Sequence, residues 1–428
     1  MIGIYMFVTA LLLLLVGFPV AFAFGMSAVV VAFFTPDVGL DVFSLLPFRI
    51  YGIMQNFTLI AVPLFIFMGL ILEKSKIAED LLVNIGKLFG SVRGGLAIST
   101  VLVGAILAAS TGIVGASVVM MSLISLPIMV KHGYSKSLSS GVIAASGTLG
   151  QIIPRSIVLS ILGDVMSVSV GDLFRGAVGP SLVLVGLYIT YILVYSYIKP
   201  SVAPAIKYDG EDRGKVVKDA LLSIIAPLTL IVIVLGSIFA GIATPTESAA
   251  FGGVFAIILT IFTKSFSFSL LKYAIEKSVK LTAMIFMILI GATAFSLVFN
   301  EVGGSDLVLE FFTEDISSKW AFIAIAMASI FILGFFVDFI EICFIVVPIL
   351  VPIVKAFGID PIWFAILVAM NLQASFLTPP FGFALFYLKG SSNNLVSTKD
   401  IYKGVVPFIF LQLLTLVILL LFPDIVGL

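Results

Sequence analysis

Two segments of the chain place small hydroxyl residues, glycine and proline inside long apolar stretches, at 146–154 and at 375–380. Glycine and proline interrupt a membrane helix and free backbone carbonyls and amides, and each freed group costs several kcal/mol in hydrocarbon unless it finds a partner. A bound cation, a substrate anion or a water cavity would supply that partner, and uncharged oxygen ligands suit Na⁺. We therefore predict that the Na⁺ ligands, or residues that shape them, are Ser146, Gly147, Thr148, Pro154, Ser375, Leu377, Thr378 and Pro379. A structural kink repaired by neighbouring hydroxyls stays open as the alternative for each segment.

The two segments occupy the same place in a long internal repeat. Three residues of the first half recur 225 positions later, and the pairs are Pro127 with Pro352, Gly133 with Gly358, and Pro154 with Pro379. Matched Gly, Ser, Thr and Pro interruptions in two halves are the best sequence indication of the binding site of a secondary transporter.

Composition assigns the chain to the membrane and excludes several function classes. The residues are 61% hydrophobic and 11% charged, with a mean hydropathy of +1.28, whereas soluble domains carry roughly a quarter charged residues. Basic and acidic residues cancel, so no basic stripe for nucleic acid exists. The single cysteine, Cys343, excludes an internal disulfide and a cysteine metal cluster. No nucleophile–base pair or phosphate-binding loop is present, so we expect an all-α polytopic membrane protein that is not an enzyme.

The charges of the connecting loops predict the orientation. The loops 199–219 and 264–280 are basic and are expected in the cytoplasm, whereas the loop 301–319 is acidic and fits the outside. Counting spans from these loops gives 138–163 and 362–388 opposite directions, which is an inverted repeat with discontinuous helices and re-entrant hairpins. The predicted division is a first half at 1–198, a cytoplasmic linker at 199–219 and a second half at 220–428, each half with scaffold and transport elements.

Several polar residues near the first segment are candidates for substrate contact. These candidates are Arg155, Ser110, Thr111, Ser117 and Gln151. A cation beside Pro154 is able to hold a carboxylate or sulfonate, although Arg155 is equally able to extend to the interface or to pair with Asp164. The small residues at 109–117 either line the same site or permit close helix packing.

Asp338 and Glu341 are a second kind of candidate, because acidic residues inside a membrane are functional hypotheses by default. Their spacing places both on one helix face. They are either relay groups for a coupling ion or a solvated pair at the cytoplasmic boundary.

Three motifs in order resemble a known family. The run 145–154, the segment 241–247 and the segment 377–382 are similar to the large membrane subunit (M subunit) of TRAP transporters, the tripartite ATP-independent periplasmic transporters. The resemblance covers essentially the whole chain. Segments 109–112 and 371–373 most resemble the branch that is labelled mannitol/chloroaromatic. Family members commonly carry proline where this chain has Arg155.

The resemblance implies an inverted-repeat elevator-type transporter in the bacterial inner membrane, with a scaffold and a moving transport domain. It implies a small four-helix membrane subunit (Q subunit) and a soluble periplasmic substrate-binding protein (P subunit) as partners, in addition to the lipid bilayer. It also implies Na⁺ as the coupling ion.

We therefore expect Na⁺-coupled import of a small organic anion, a carboxylate or a sulfonate, by alternating access. The alternative is a standalone proton- or Na⁺-coupled organic-anion carrier that uses Asp338 and Glu341 as relay groups.

Overall fold

The computed structural model describes residues 2–111, 114–206 and 213–427, and within these ranges no residue lies in a β-strand. The expected all-α membrane fold is therefore confirmed. The α-helices are α1 (Ile2–Val16), α2 (Val20–Phe34), α3 (Leu46–Met54), α4 (Phe57–Lys74), α5 (Lys76–Phe89), α6 (Gly95–Thr111), α7 (Val114–Lys131), α8 (Lys136–Thr148), α9 (Ile157–Val165), α10 (Val170–Ile198), α11 (Arg213–Phe239), α12 (Pro245–Phe262), α13 (Phe268–Glu301), α14 (Gly304–Glu310), α15 (Lys319–Leu333), α16 (Phe339–Glu341), α17 (Val347–Ala356), α18 (Pro361–Leu377), α19 (Phe383–Ser391) and α20 (Thr398–Leu421). Short 3₁₀ or π-helical segments are Leu40–Leu45, Leu149–Gln151, Phe311–Ile316, Ile342–Val346 and Pro423–Val426.

Many of these helices have the length and composition of membrane spans. Among the described residues, 8 helical runs have at least 18 residues and are apolar enough to cross a bilayer. Others are shorter, such as α15 with 15 residues, below the roughly 20 that a full span needs. Short apolar helices of this kind are expected where a hairpin enters the membrane without crossing it.

The repeat seen in the sequence extends to the helix boundaries. Helices α2 and α12 start at Val20 and Pro245, and α8 and α18 start at Lys136 and Pro361, in both cases 225 residues apart. The ends of α7 and α17 have the same separation. The recurrence supports two structurally equivalent halves. Of the predicted linker at 199–219, residues 207–212 lie outside the described part of the chain.

The two halves interlock through close helix packing. Helix α8 of the first half packs against α20 of the second. A Cβ atom added at Gly141 would lie 2.1 Å from the carbonyl oxygen of Gly404, so the two backbones approach too closely for a larger residue at that crossing. Small residues at crossings are the usual means of tight helix association in lipid. Interrupted helices from both halves are thereby brought into one bundle.

A second group of helices surrounds α4 and α13. Helix α4 packs against α12, α13 packs against α2, and α4 and α13 contact each other. Gly291 of α13 permits close packing on α2, because a Cβ atom there would lie 2.3 Å from the Ala21 carbonyl oxygen. The first group consists of α8, α18 and α20 with α6 and α9, which pack against them. Helix α4 also contacts α6 and α9 of this first group. The candidate site lies where these two groups meet.

Candidate ion and substrate site

The first interruption separates α8 from α9. Helix α8 ends at Thr148, a 3₁₀ turn covers Leu149–Gln151, and α9 begins at Ile157 after Ser156, whose Oγ accepts the Leu159 amide as the N-terminal cap. Pro154 lies in the connection and is buried. The negative end of the α8 dipole and the positive end of the α9 dipole therefore meet inside the protein, an arrangement that suits bound ions.

The second interruption separates α18 from α19. Helix α18 ends at Leu377, the chain turns through Thr378 and Pro379, and α19 begins at Phe383. A Cβ atom at Gly382 would lie 2.5 Å from the Phe376 carbonyl oxygen, so the turn requires glycine there. Both predicted helix breaks are thus present in the structure. The first is fully enclosed, whereas Thr378 and Pro379 are only half-buried.

The two breaks meet through a buried polar cluster that sequence reasoning missed. The Gln373 Nε2 of α18 donates to Thr148 Oγ1 at 3.4 Å, and the Gln412 Nε2 of α20 donates to the same oxygen at 3.3 Å. Both glutamines and Thr148 are fully buried, as is the neighbouring Tyr188 of α10. Gln373 lies 225 residues after Thr148, so the repeat is the signal that could have drawn attention to this residue.

The hydroxyl groups at the breaks differ in what they offer a cation. The Ser146, Ser375 and Thr378 hydroxyls each donate to a carbonyl of their own helix, at 2.6, 2.8 and 2.7 Å, and retain oxygen lone pairs. The Thr148 hydroxyl donates to the Ala145 carbonyl at 2.9 Å and accepts both glutamine amides, so its lone pairs are already used. In this conformation Thr148 therefore connects helices rather than offering a free hydroxyl ligand.

The side chain of Gln151 needs a hydrogen-bonding partner that the described residues do not supply. The residue is fully buried in the 3₁₀ turn, and neither polar atom of its side chain has a hydrogen-bond partner among the described residues. A buried amide left unpaired costs about 1–3 kcal/mol. A bound ion, substrate or water would remove that cost, so the role of Gln151 in substrate contact stays a prediction.

Arg155 adopts a backbone conformation that is rare for a side-chain-bearing residue, with φ of 78°. Its side chain is buried against α4, where Nη2 lies 2.8 Å from the Met68 sulfur and the guanidinium lies 5.8 Å from the Phe65 ring centroid. The Asp164 carboxylate, the partner considered from the sequence, instead accepts the Asn56 amide. The guanidinium therefore lies against the helix group around α4.

The remaining substrate candidates belong to the stretch 110–117. Ser110 and Thr111 are the last residues of α6, but their side chains lie outside the described part of the structure. Residues 112 and 113 also lie outside it. Ser117 is buried on α7, next to Val118, whose amide nitrogen would lie 3.0 Å from a Cβ atom at Gly147. Helix α7 therefore packs directly on the first break.

A large vestibule of about 370 Å³ lies between the two helix groups. Ile157 follows the first break, and Phe376 and Phe383 flank the second, so residues beside both breaks line it. Its polar lining residues include Glu73, Lys277 and Asp338. The Asp338 Oδ1 accepts the Phe339 amide at 2.7 Å, whereas Glu341 is buried beyond it. Asp338 is thus half-buried at the wall of the vestibule, and Glu341 lies in the buried helix behind it.

A small vestibule of about 220 Å³ lies elsewhere along the same interface. Its polar lining residues are Arg49, Asn56, Asp164, Thr293, Ser296 and Asn300. The repeat relates the two cavities, because Leu59 and Phe344 of the small vestibule have their 225-residue counterparts, Met284 and Val119, in the large one. The fold therefore builds two equivalent openings beside one pair of interrupted helices.

The family model described as "Tripartite ATP-independent periplasmic transporter, DctM component" matches residues 7–425. The chain belongs to this family of TRAP transporter large permease subunits. Its relatives are transporter permeases and not enzymes, and the family places this multi-pass protein in the inner membrane, as expected.

Curated relatives of this TRAP permease differ in the substrates that their names state. The chain is 31% identical to the ectoine large permease TeaC of Halomonas elongata, over 98% of this chain and 97% of that protein. It is 29% identical to the C4-dicarboxylate large permease DctM of Rhodobacter capsulatus, over 96% and 95%. It is 30% identical to the isethionate permease DctMQ of Oleidesulfovibrio alaskensis, over 97% of this chain and 64% of that protein. These names do not support the mannitol/chloroaromatic label that the sequence suggested.

A solved structure shares the fold of the TRAP permease. The YdaH transporter of Alcanivorax borkumensis, described as having an unusual topology, superposes with a TM-score of 0.62. The match covers 99% of this chain and 98% of that one at 13% sequence identity. At this identity the likeness concerns the fold alone.

Proposed function

We propose that this permease imports a small organic anion, a carboxylate or a sulfonate, by Na⁺-coupled alternating access of the elevator type. The observation that carries the proposal is the convergence of two interrupted helices, one from each half, at Thr148 and Gln373. Each interruption adjoins the large vestibule, so an ion bound at a break would complete the wall of the substrate cavity. Coupling follows if only the empty and the fully loaded forms move.

The proposed ion ligands are those with unused oxygen lone pairs at the breaks. Ser146 and Ser375 are fully buried and offer hydroxyl oxygens, and Thr378 offers another at the half-buried second break. Gly147, Pro154, Leu377 and Pro379 would act through the backbone or by shaping it, and Thr148 by holding the helices together. We propose Gln151 as the first substrate or ion contact, because its buried amide lacks a partner in the described structure.

We propose the division into halves at 1–198 and 220–428 with opposite orientations in the membrane. Lys277 of the large vestibule lies in the basic stretch 264–280, most of which forms the start of α13 and not the predicted loop. Asn300 of the small vestibule lies at the other end of α13, next to the acidic stretch 301–319, which is also largely helical. Basic loops are retained in the cytoplasm. The larger opening then faces the cytoplasm, and the conformation described here is the one that releases substrate inward.

We also propose that a small four-helix subunit and a periplasmic binding protein work with this chain. The isethionate permease DctMQ has a name that joins two components, M and Q. It is longer than this chain, because the match covers 64% of its length. Apolar side chains exposed on α1 and α3, such as Tyr5, Val16, Phe48 and Met54, need a lipid or protein covering.

Proteoliposome uptake tests the proposal. The chain is reconstituted with its small subunit, and radiolabelled ectoine, succinate and isethionate are offered with and without the binding protein under an inward Na⁺ gradient. We expect uptake of one of them that requires both Na⁺ and the binding protein. Uptake that follows a proton gradient and persists without the binding protein would contradict the proposal. It would favour a standalone carrier with Asp338, which lines the large vestibule, as relay group.

A further inference from the structure

One side-chain contact joins the two helix groups across the small vestibule. The Asn56 Nδ2, at the start of α4, donates to the Asp164 Oδ1, at the end of α9, at 2.5 Å. Asn56 and Asp164 both line the small vestibule, together with Arg49. A hydrogen bond to a carboxylate is about twice as strong as a neutral one. The contact therefore ties the helix group of α4 to the transport helix that follows the first break.

Asn56 is fixed by a second hydrogen bond, which makes this contact well oriented. The Asn56 Oδ1 accepts the Thr58 amide at 3.0 Å and caps α4. The amide group is therefore held with its oxygen toward α4 and its nitrogen toward Asp164. Asparagine and aspartate are both favoured at this cap, so the oxygen role can be kept while the nitrogen donor is removed.

Among the described residues, the repeat counterparts of Asn56 and Asp164 do not form this contact in the large vestibule. The residue 225 positions after Asn56 is Leu281, which lines the large vestibule and carries no donor. The residue 225 positions after Asp164 is Lys389, whose Nζ donates to the Val396 carbonyl at 3.2 Å. The Asn56–Asp164 hydrogen bond therefore distinguishes the small vestibule from the large one at these two positions of the repeat.

We propose that the Asn56–Asp164 hydrogen bond is a latch that keeps the small vestibule from opening further. It breaks when the transport helices move and open that side, so it biases the protein toward the conformation with the large vestibule open. The proposal rests on the alternating access proposed above. It assigns to these two residues control of the balance between the two conformations, with no part in binding the substrate or the ion.

Accessibility of single cysteines to a membrane-impermeant thiol reagent tests the latch. In a Cys343→Ser background of the full chain with its small subunit, Ser296→Cys reports the small vestibule and Ala116→Cys reports the large one. Asn56→Asp keeps the cap of α4 but faces Asp164 with a second carboxylate. We expect labelling of Cys at 296 to rise roughly tenfold and labelling at 116 to fall, because loss of a hydrogen bond to a charged group shifts an equilibrium by about that factor.

The exchanged pair Asn56→Asp with Asp164→Asn restores a donor facing an acceptor, and its labelling is expected to return to the original pattern. Asn84→Asp is the matched control, because Asn84 Nδ2 donates to Ser223 Oγ at 2.5 Å away from both vestibules. Unchanged labelling in Asn56→Asp, or no recovery in the exchanged pair, would overturn the latch. Labelling does not depend on substrate uptake, so failure of Na⁺-driven import would be recognised separately, by the absence of uptake in the unmodified protein.

Discussion

Thr148 and Gln373 are the same position of the two halves, 225 residues apart, and they touch. The Gln373 amide reaches the Thr148 hydroxyl at the point where α8 ends and one turn before α18 ends. The two interrupted helices are thus in contact at one buried point.

The first prediction concerns this anchor. Thr148→Val keeps the side-chain shape but removes the acceptor of two buried amides, so we expect a loss of about 1 kcal/mol for each hydrogen bond and a lower melting temperature. Thr148→Ser retains the hydroxyl and is expected to remain near the original value. Thermal unfolding of the detergent-solubilised protein measures both. Equal melting temperatures for the valine and serine variants would show that the amides find other partners.

The second prediction separates ion ligands from ordinary helix hydroxyls. Ser146 and Ser140 are both buried on α8, and each donates to a carbonyl four residues earlier, at 2.6 and 2.7 Å, but only Ser146 lies at the break. We expect Ser146→Ala to raise the Na⁺ concentration for half-maximal uptake roughly tenfold, because a lost ligand weakens binding by about 1.4 kcal/mol. Ser140→Ala is the control and should leave it unchanged. A similar shift in both variants would indicate a general effect on α8.

The third prediction uses the close approach of Gly334 to the second break. A Cβ atom at Gly334 would lie 2.2 Å from Ser375 Oγ, whereas one at Gly390 of α19 would meet no atom within 4 Å. Gly334→Ala is therefore expected to displace Ser375 and to lower Na⁺-dependent uptake at least tenfold. Gly390→Ala should transport normally. Adding Ser375→Gly to Gly334→Ala removes the clash, so it should restore folding but not Na⁺ affinity, which would identify Ser375 as the ligand.

The fourth prediction concerns Arg155. Because its guanidinium packs on Met68 and Phe65 of α4, we expect Arg155→Met to lower the maximal uptake rate and to leave the KM for the anion within about twofold. Concentration-dependent uptake measures both values. A KM raised tenfold or more, with partial recovery in Arg155→Lys, would instead assign the guanidinium to the substrate carboxylate.

The fifth prediction concerns Gln151, whose buried side chain has both polar atoms unpaired among the described residues. Gln151→Met removes those atoms at similar volume. If the amide serves a ligand, the variant should be at least as stable as the original without Na⁺ and substrate, because an unpaired buried amide is costly. Its uptake should fall sharply. A less stable variant with normal uptake would show that Gln151 is structural.

The positions of the two helix breaks could be predicted from the sequence, because they depend on residues that are close together in the chain. Clusters of glycine, proline and hydroxyl residues in apolar stretches predict broken helices, and the breaks at 149–156 and 378–382 are where Gly150, Pro154 and Pro379 indicated. A proline alone is a weaker signal, because Pro127 and Pro352 lie inside the continuous helices α7 and α17. Matching positions 225 residues apart predicted two halves, and three motifs indicated the TRAP family. The long continuous apolar stretches predicted helices, because a membrane helix forms all of its backbone hydrogen bonds within one segment.

The tertiary structure decided which side chains meet, since contacts between distant helices depend on packing that no local pattern contains. In the structure, Gln412 and Gln373 both donate to the Thr148 hydroxyl. The Arg155 side chain packs against α4, and Asp164 accepts a hydrogen bond from Asn56. The tertiary structure also set the two vestibules along the interface of the helix groups. The sequence indicated the two breaks through their clusters of glycine, proline and hydroxyl residues, whereas single prolines such as Pro227 and Pro407 lie inside continuous helices. Only the packing of distant helices determined which side chains contact each break, such as Gln373 and Gln412 at Thr148.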